Sequence, residues 1–296
     1  MVERLSERTG YLPGGVNVGV VWIDDQRVLM VDTGLNESNG KKALKSIEGA
    51  GGTVVGVLTT HAHADHFGGN ALIVKRTGAL IYAPPIDEAI LRHPTLMPQL
   101  LYAGADPPPS MRGRFLLADL SPVDMVLEHG EANVEDVHIE VIPLSGHSPG
   151  QVGYLIDGVF FCADIVLPPE ALAKFKIPYL CSVTDHLLSL DRAATIRCDV
   201  AMPGHGPVVS SLAELIGLNR SLVDRLSQAT LETLERPHTF DSLTAILLSV
   251  FDADPADAAA YYLIQPTIYA MLSYLEAQER IENVVANRQS TWVALG

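Results

Sequence analysis

The sequence predicts an α/β protein whose sheets are covered by helices on both sides, followed by a C-terminal segment that is helical. Three observations carry that expectation. Short β-branched runs alternate with helical segments over residues 16–209. Several of those runs end in glycine-flanked histidine or aspartate motifs. From Ser211 onward the pattern turns helical. With 296 residues and 48% hydrophobic content, the chain has ample material for a core. We therefore divide it into a main domain, residues 1–210, and a helical domain, residues 211–296.

In chain order, "VGVVWID" and "RVLMVDTG" flank the turn signal Asp24-Asp25-Gln26 and predict a hairpin. "NGKKALKSIEGAG" reads as a helix closed by glycine, and "TVVGVLTT" as a buried strand. "NALIVKRTG" is helical and "ALIYAP" extended. Residues 84–114, rich in proline, leucine and methionine, read as an irregular insertion or lid, and residues 167–180 are similar. Further strands are "HIEVIPLS", "QVGYLIDGVFFCAD" with a turn at Asp157-Gly158, and "DVAMPGHG". Beyond Ser211, "LAELIGLNRSLVDRLSQATLETLER", "FDSLTAILLSVF" and "AAAYYLIQPTIYAMLSYLEAQER" are helices. "IENVVANRQSTWVAL" reads as two strands joined near Asn287-Arg288.

Charge and cysteine usage narrow the partners. Twenty basic against thirty-five acidic residues give a net charge of −15, which opposes general adhesion to nucleic acid or anionic lipid. Cys162, Cys181 and Cys198 are too few for a disulfide framework, so a reducing compartment is expected. The N-terminal "MVERLSERTGYLPGG" lacks the apolar centre of a signal peptide. No stretch approaches the ~18 apolar residues of a membrane span. A cytoplasmic protein without a membrane partner is expected.

The chemistry concentrates at "HAHADH", residues 61–66, on a strand-to-helix turn. His61 and His63 can point from one side of an extended loop while Asp65 and His66 turn another way, which supplies ligands for two adjacent cations. A lone histidine is more often a satisfied core residue, but three histidines and an aspartate within six positions after a buried strand are not explained that way. His147 in "PLSGHSPGQVGYLI", Asp164 in "VFFCADIV" and His205 in "AMPGHGPVV" are the other candidates. His93, His129, His138, His186 and His238 lie in ordinary settings and read as surface or structural. Ser148 and Cys162 read as a loop residue and a buried strand residue, not as nucleophiles.

These motifs, in order over residues 12–209, closely resemble the metallo-β-lactamase-fold hydrolases. The resemblance implies an αββα sandwich with its metal site along one edge. It implies one metal on His61, His63 and His147, a second on Asp65, His66 and His205, and Asp164 bridging them. It also makes Asp32 of "VDTG" the group that orients a metal-binding histidine. Zinc is the default for such ligands, with manganese or iron also acceptable. A water between two cations loses its proton near neutral pH, and the resulting hydroxide is the expected nucleophile. Asp65 is expected to orient it and pass a proton to the leaving group.

Fold does not fix substrate. Diiron members of the family have Glu where His63 stands, and true β-lactamases have Cys in the second site or lack the bridging aspartate. Both activities are disfavoured here. "GHSPGQVGYLID" resembles the loop of glyoxalase II and related thioesterases. "LPGG", "PGHGPV" and the helical extension look like the lactamase-β-2-like hydrolases, some of which cleave RNA and others polyketide thioesters. The C-terminal domain resembles a winged helix. Yet it carries five basic and eleven acidic residues, net −6, the wrong sign for nucleic acid. It is expected to pack on the catalytic domain or on a second subunit of a homodimer.

In the lid, Ile86, Ile90, Leu91, Leu96, Met97, Leu100, Leu101, Tyr102 and Met111 could line an apolar acyl pocket or simply pack on the sandwich. Arg112, Arg114, Lys174 and Lys176 could meet a substrate carboxylate or phosphate, or be solvated charge. The expected activity is metal-dependent cleavage of an ester or thioester of a small, partly apolar acyl substrate. A phosphodiesterase or endoribonuclease, and a non-catalytic metal-binding module, are the alternatives.

Overall fold

The computed structural model describes residues 1–295. Strands β1 (Glu3–Arg4), β2 (Thr9–Leu12), β3 (Val18–Trp22) and β4 (Arg27–Val31) form an antiparallel run. The predicted β3–β4 turn is held by Asp24, whose Oδ1 accepts from the amides of Gln26 and Arg27. Helix α1 (Glu37–Gly49), capped by the Asn36 side chain, leads to β5 (Thr53–Leu58). Helices α2 (Ala64–Phe67) and α3 (Asn70–Thr77) precede β6 (Leu80–Ala83), and α3 ends at Gly78 in the left-handed region. After α4 (Asp87–Arg92) and α5 (Leu96–Leu101) comes β7 (Met125–Val126), so β4 to β7 run parallel.

The second sheet comprises β8 (Gly130–Val134), β9 (Val137–Pro143), β10 (Val152–Ile156) and β11 (Val159–Ala163), antiparallel in sequence. Helices α6 (Pro169–Phe175) and α7 (Val183–Thr195) then lead to β12 (Val200–Pro203), parallel to β11. The two mixed sheets face each other across a core that includes Leu29, Val31, Leu58, Tyr82, Val141, Tyr154 and Phe161. Helices α1 and α3 cover the first sheet through Leu44, Ile47 and Ile73. On the other side, Leu190 of α7 and Leu215 of the following helix cover Phe160 and Cys162. The expected layering of helix, sheet, sheet and helix is what the structure shows.

Helices α8 (Ala213–Thr233), α9 (Phe240–Val250) and α10 (Ala258–Ala277) and a hairpin, β13 (Ile281–Ala286) and β14 (Gln289–Ala294), complete the chain. Asn287 and Arg288 both have positive φ, which suits the tight two-residue hairpin turn expected there. Leu243, Leu247, Ile268, Met271 and Leu275 of these elements share a core with Ile177, Leu180 and Val183 of the preceding part. Helix α10 packs on α5 and α7, so this segment lies against the insertion at 84–114. Among the described residues, no helix is long and apolar enough to cross a membrane.

The insertion is more regular than expected. Ile90, Leu91, Met97, Leu101 and Met111 are buried in the core of the first sheet, while Ile86 and Leu100 are exposed. Ordinary packing therefore accounts for most of the residues considered as pocket lining. The apolar spacing of the segment is that of two six-residue helices folded onto an existing core; Pro94 follows the end of the first, and positive φ at Ala103 and Gly104 follows the end of the second.

Phe161 is fully buried between the sheets, and a Cβ at Gly19 would lie 2.7 Å from its ring. Replacing Phe161 by Ala leaves a void that this close packing cannot fill, and should cost about 3–5 kcal/mol. Urea unfolding of the variant checks this; an unchanged midpoint would mean that the sheets do not meet at Phe161.

Candidate metal centre

Four strand ends deliver the site. Thr59, Thr60 and His61 to His63 follow β5 in extended conformation, and α2 begins at Ala64. His63 therefore precedes the helix while Asp65 and His66 sit in its first turn, which turns their side chains away from the histidine pair. His147 lies in the β9–β10 loop, Asp164 directly after β11 and His205 just beyond the end of β12, after Gly204. The topology brings all seven together.

Three groups of ligand atoms lie within 4.8 Å of one another: His61 with His63 and His147, His61 with His66 and Asp164, and Asp65 with His66 and His205. Asp164 is central. Its Oδ2 is 3.4 Å from His66 Nε2, 3.5 Å from His147 Nε2 and 3.2 Å from His205 Nε2. His61 Nε2 is 3.1 Å from His63 Nδ1, and His205 Nε2 is 3.6 Å from Asp65 Oδ2.

The other ring nitrogens are held from behind. His66 Nδ1 donates to Asp32 Oδ2 at 2.8 Å, His147 Nδ1 to the Tyr179 carbonyl at 3.1 Å and His205 Nδ1 to the Gly15 carbonyl at 2.6 Å. Each bond leaves Nε2 free to act as a ligand. Asp32, with positive φ, also accepts from the amide and hydroxyl of Thr60, so it meets a site histidine as expected. His66 Nε2, His147 Nε2 and Asp164 Oδ1 are buried with no hydrogen-bond partner. Buried polar atoms left unpaired cost about 1–3 kcal/mol each, and a cation at this point would satisfy them. Neutral imidazoles around carboxylates suit a divalent metal.

Without a cation the histidines divide. Burial, reinforced by neighbouring histidines, holds His61 well below the ordinary range, His63 down to about 4 and His147 to about 3. Burial acts the same way on His66, but Asp164 and Asp32 outweigh it and raise this group well above the ordinary range. Asp164, against the cost of burial, raises His205 to about 9. Burial opposes the charge of Asp164, yet His205 and His66 hold its carboxyl well below the usual range.

Three supporting residues were not legible as such. Asp87, in "PPIDEAIL", is buried and binds both histidine loops. Asn17 braces the His205 loop, its Nδ2 donating to the carbonyls of Pro203 and Gly206. The Tyr179 ring stands edge-on to His63, with centroids 5.0 Å apart. Asn17 stands just after "LPGG", which was the only signal available. Ser148 and Cys162 are buried, as a loop residue and a strand residue. His93, His129 and His138 are exposed, His238 bonds Ser242, and His186 is buried in α7.

These pKa displacements predict the pH dependence of metal-stripped protein. His61, His63 and His147 stay neutral when folded but take up protons near pH 6.5 when unfolded, so stability falls as pH drops from 6.5 toward 4. His66 and His205 have raised values, so their contribution is complete below pH 6.5 and is lost at higher pH, that of His205 as pH rises through about 9. Chemical denaturation at pH 5, 6.5 and 9 should show the highest midpoint at 6.5. A midpoint that rose steadily toward pH 9 would contradict the assignment.

The comparisons agree with this geometry. The model of the metallo-beta-lactamase superfamily matches residues 11–205. The chain is similar to hydroxyacylglutathione hydrolase of Erythrobacter litoralis, 30% identical over 135 residues. That match covers 45% of this chain but only 42% of the relative's length. It is 21% identical to atrochrysone carboxyl ACP thioesterase of Aspergillus fumigatus over 99% of this chain and 64% of that one. A solved metallo-beta-lactamase family protein of Thermus thermophilus has the same fold, with TM-score 0.76 and 19% identity over 99% of this chain and 100% of that one. The chain belongs to the metallo-beta-lactamase superfamily and carries a cluster of histidines and aspartates that could hold metal.

Proposed function

We propose that this protein is a dinuclear hydrolase cleaving an ester or thioester of a small, partly apolar acyl compound. His61, His63 and His147 are assigned to one ion, Asp65, His66 and His205 to the other, and Asp164 to the position between them. Zinc suits this set best, and manganese or iron would accept it. When bound, two such cations supply Lewis acidity and lower the pKa of water. Asp65, partly exposed beside His205, is assigned the orienting of the nucleophile and the delivery of a proton to the leaving group.

The observation that carries the acyl assignment is a groove of about 640 Å³ between α5 and α10. Leu100, Leu101, Tyr102, Tyr262, Pro266 and Tyr269 are among its lining residues, and no Lys or Arg is. None of the seven candidate ligands lines it, and its link to the site is Cys181, whose amide donates to the carbonyl of Gly146, next to His147. A phosphodiester would call for cations here. Of the basic residues nearest the two insertions, Arg112 is paired with Asp106, and Arg114, Lys174 and Lys176 are solvated or half-exposed. The thioesterase and hydroxyacylglutathione hydrolase relatives support the same chemistry.

The three C-terminal helices and their hairpin we read as a winged-helix-like unit, residues 211–296, that packs on the catalytic part or on a second copy. Its net charge of −6 opposes a nucleic-acid role. A small-molecule substrate and a cytoplasmic address complete the proposal.

Turnover of acyl-thioester, lactone and phosphodiester panels tests it, with metal content measured in parallel. The expected outcome is about two metals per chain, chelator-sensitive thioester cleavage, and at least a hundredfold loss in His63→Ala and Asp164→Ala with the fold retained. Cleavage of the phosphodiesters alone would reject the acyl assignment, and wild-type rates in either variant would reject the ligand set.

A further inference from the structure

Asp87 joins two loops that the sequence keeps far apart. Its Oδ2 accepts from the Ala62 amide at 2.8 Å and from Ser148 Oγ at 2.6 Å, while its Oδ1 accepts from the Gly150 amide at 2.8 Å. Ala62 lies between His61 and His63, and Ser148 follows His147. The carboxylate is fully buried. Removing a charge from water is costly, and these three donors, all from the histidine loops, offset that cost.

Two further features show that this meeting point is built. Ile86, just before Asp87, has φ +70° and is exposed at 62%. A β-branched residue at positive φ is strained, and here the strain yields no burial of its own side chain. What it does is turn the chain so that Asp87 enters the gap. At Gly150 a Cβ would lie 2.1 Å from the Pro85 carbonyl oxygen and 3.0 Å from Asp87 Oδ1, so only glycine lets the two segments approach.

We propose that Asp87 is a positioning residue that sets the spacing of the three-histidine group, His61, His63 and His147, and so its affinity for metal. The inference rests on the ligand assignment above. It concerns one ion of the two: Asp87 has no bond to the loops of His205 or Asp164, and His66 is held separately by Asp32. The sandwich does not depend on it, because Val152 and Tyr154 bond the carbonyls of Thr60 and Thr59 directly. Asparagine at this position keeps the shape but turns an NH2 group toward one of the three donors.

Zinc titration of metal-stripped, full-length protein against a chromophoric chelator tests the proposal. Wild type should bind two ions. Asp87→Asn should weaken one of them by tenfold or more and leave the other within about twofold, the range expected when a group behind a ligand is lost. The effect should persist in a His205→Ala background and vanish in His63→Ala, where the three-histidine group is already broken. Ser148→Ala, which removes one of the three bonds, should act in the same direction but less. Equal weakening of both ions, no weakening of either, or an effect that survives in His63→Ala would each overturn the role of Asp87 while leaving the metal assignment intact. A wild-type chain that binds no zinc would overturn both.

Discussion

A chain of polar contacts from Thr60 through Asp32 and His66 to Asp164 crosses the sandwich from one sheet to the other, and the site depends on it. Asp32 follows β4, Thr60 and His66 follow β5, and Asp164 follows β11. Asp32 and Asp164 are 3% and 5% exposed, an environment in which an unpaired carboxylate is strongly disfavoured. Their tolerance there comes from bonds to each other's partners: Thr60 satisfies Asp32 from one side, and His66 lies between the two carboxylates.

The rest of the molecule can be understood as support for that line of contacts. Strand ends supply the candidate ligands, and the elements between them supply the constraints on where those side chains point. Asn17 steadies the loop of His205, Tyr179 receives the outer nitrogen of His147, and Asp87 holds the HxH and His147 loops against each other. Glycines mark the closest approaches. At Gly204 a Cβ would lie 2.1 Å from Asp164 Oδ1, so the His205 loop can pass the central carboxylate only without a side chain.

Much of this was legible because a histidine cluster after a β-branched run is a rare pattern with few structural explanations. The strands that hold the site are also rich in valine and leucine, and their signal is local. The elements that escaped notice carry weaker local signals. β2, "TGYL", and the edge strand β8, "GEANV", contain glycine or charge and are held by their neighbours more than by propensity. Helix α7 lies next to the irregular stretch at 167–180, yet Ser182 caps it and Val183, His186, Leu190 and Ala193 repeat at helical spacing on its buried face. Asp87 could not be found by any local rule, since an aspartate opening a short helix is ordinary until the two distant loops that meet it are in view.

Thr267 of α10 accepts from the Leu180 amide and donates to the Pro178 carbonyl, clasping the short segment whose Tyr179 ring faces His63. The ligands thus come from strand ends in one stretch of chain, and part of the wall beside them is anchored by a helix from another. Inheritance can treat these two parts separately. Substitutions along α10 reshape the neighbouring groove while the strand ends that carry the candidate ligands keep their sequence, so the groove and the histidine and aspartate cluster can change independently.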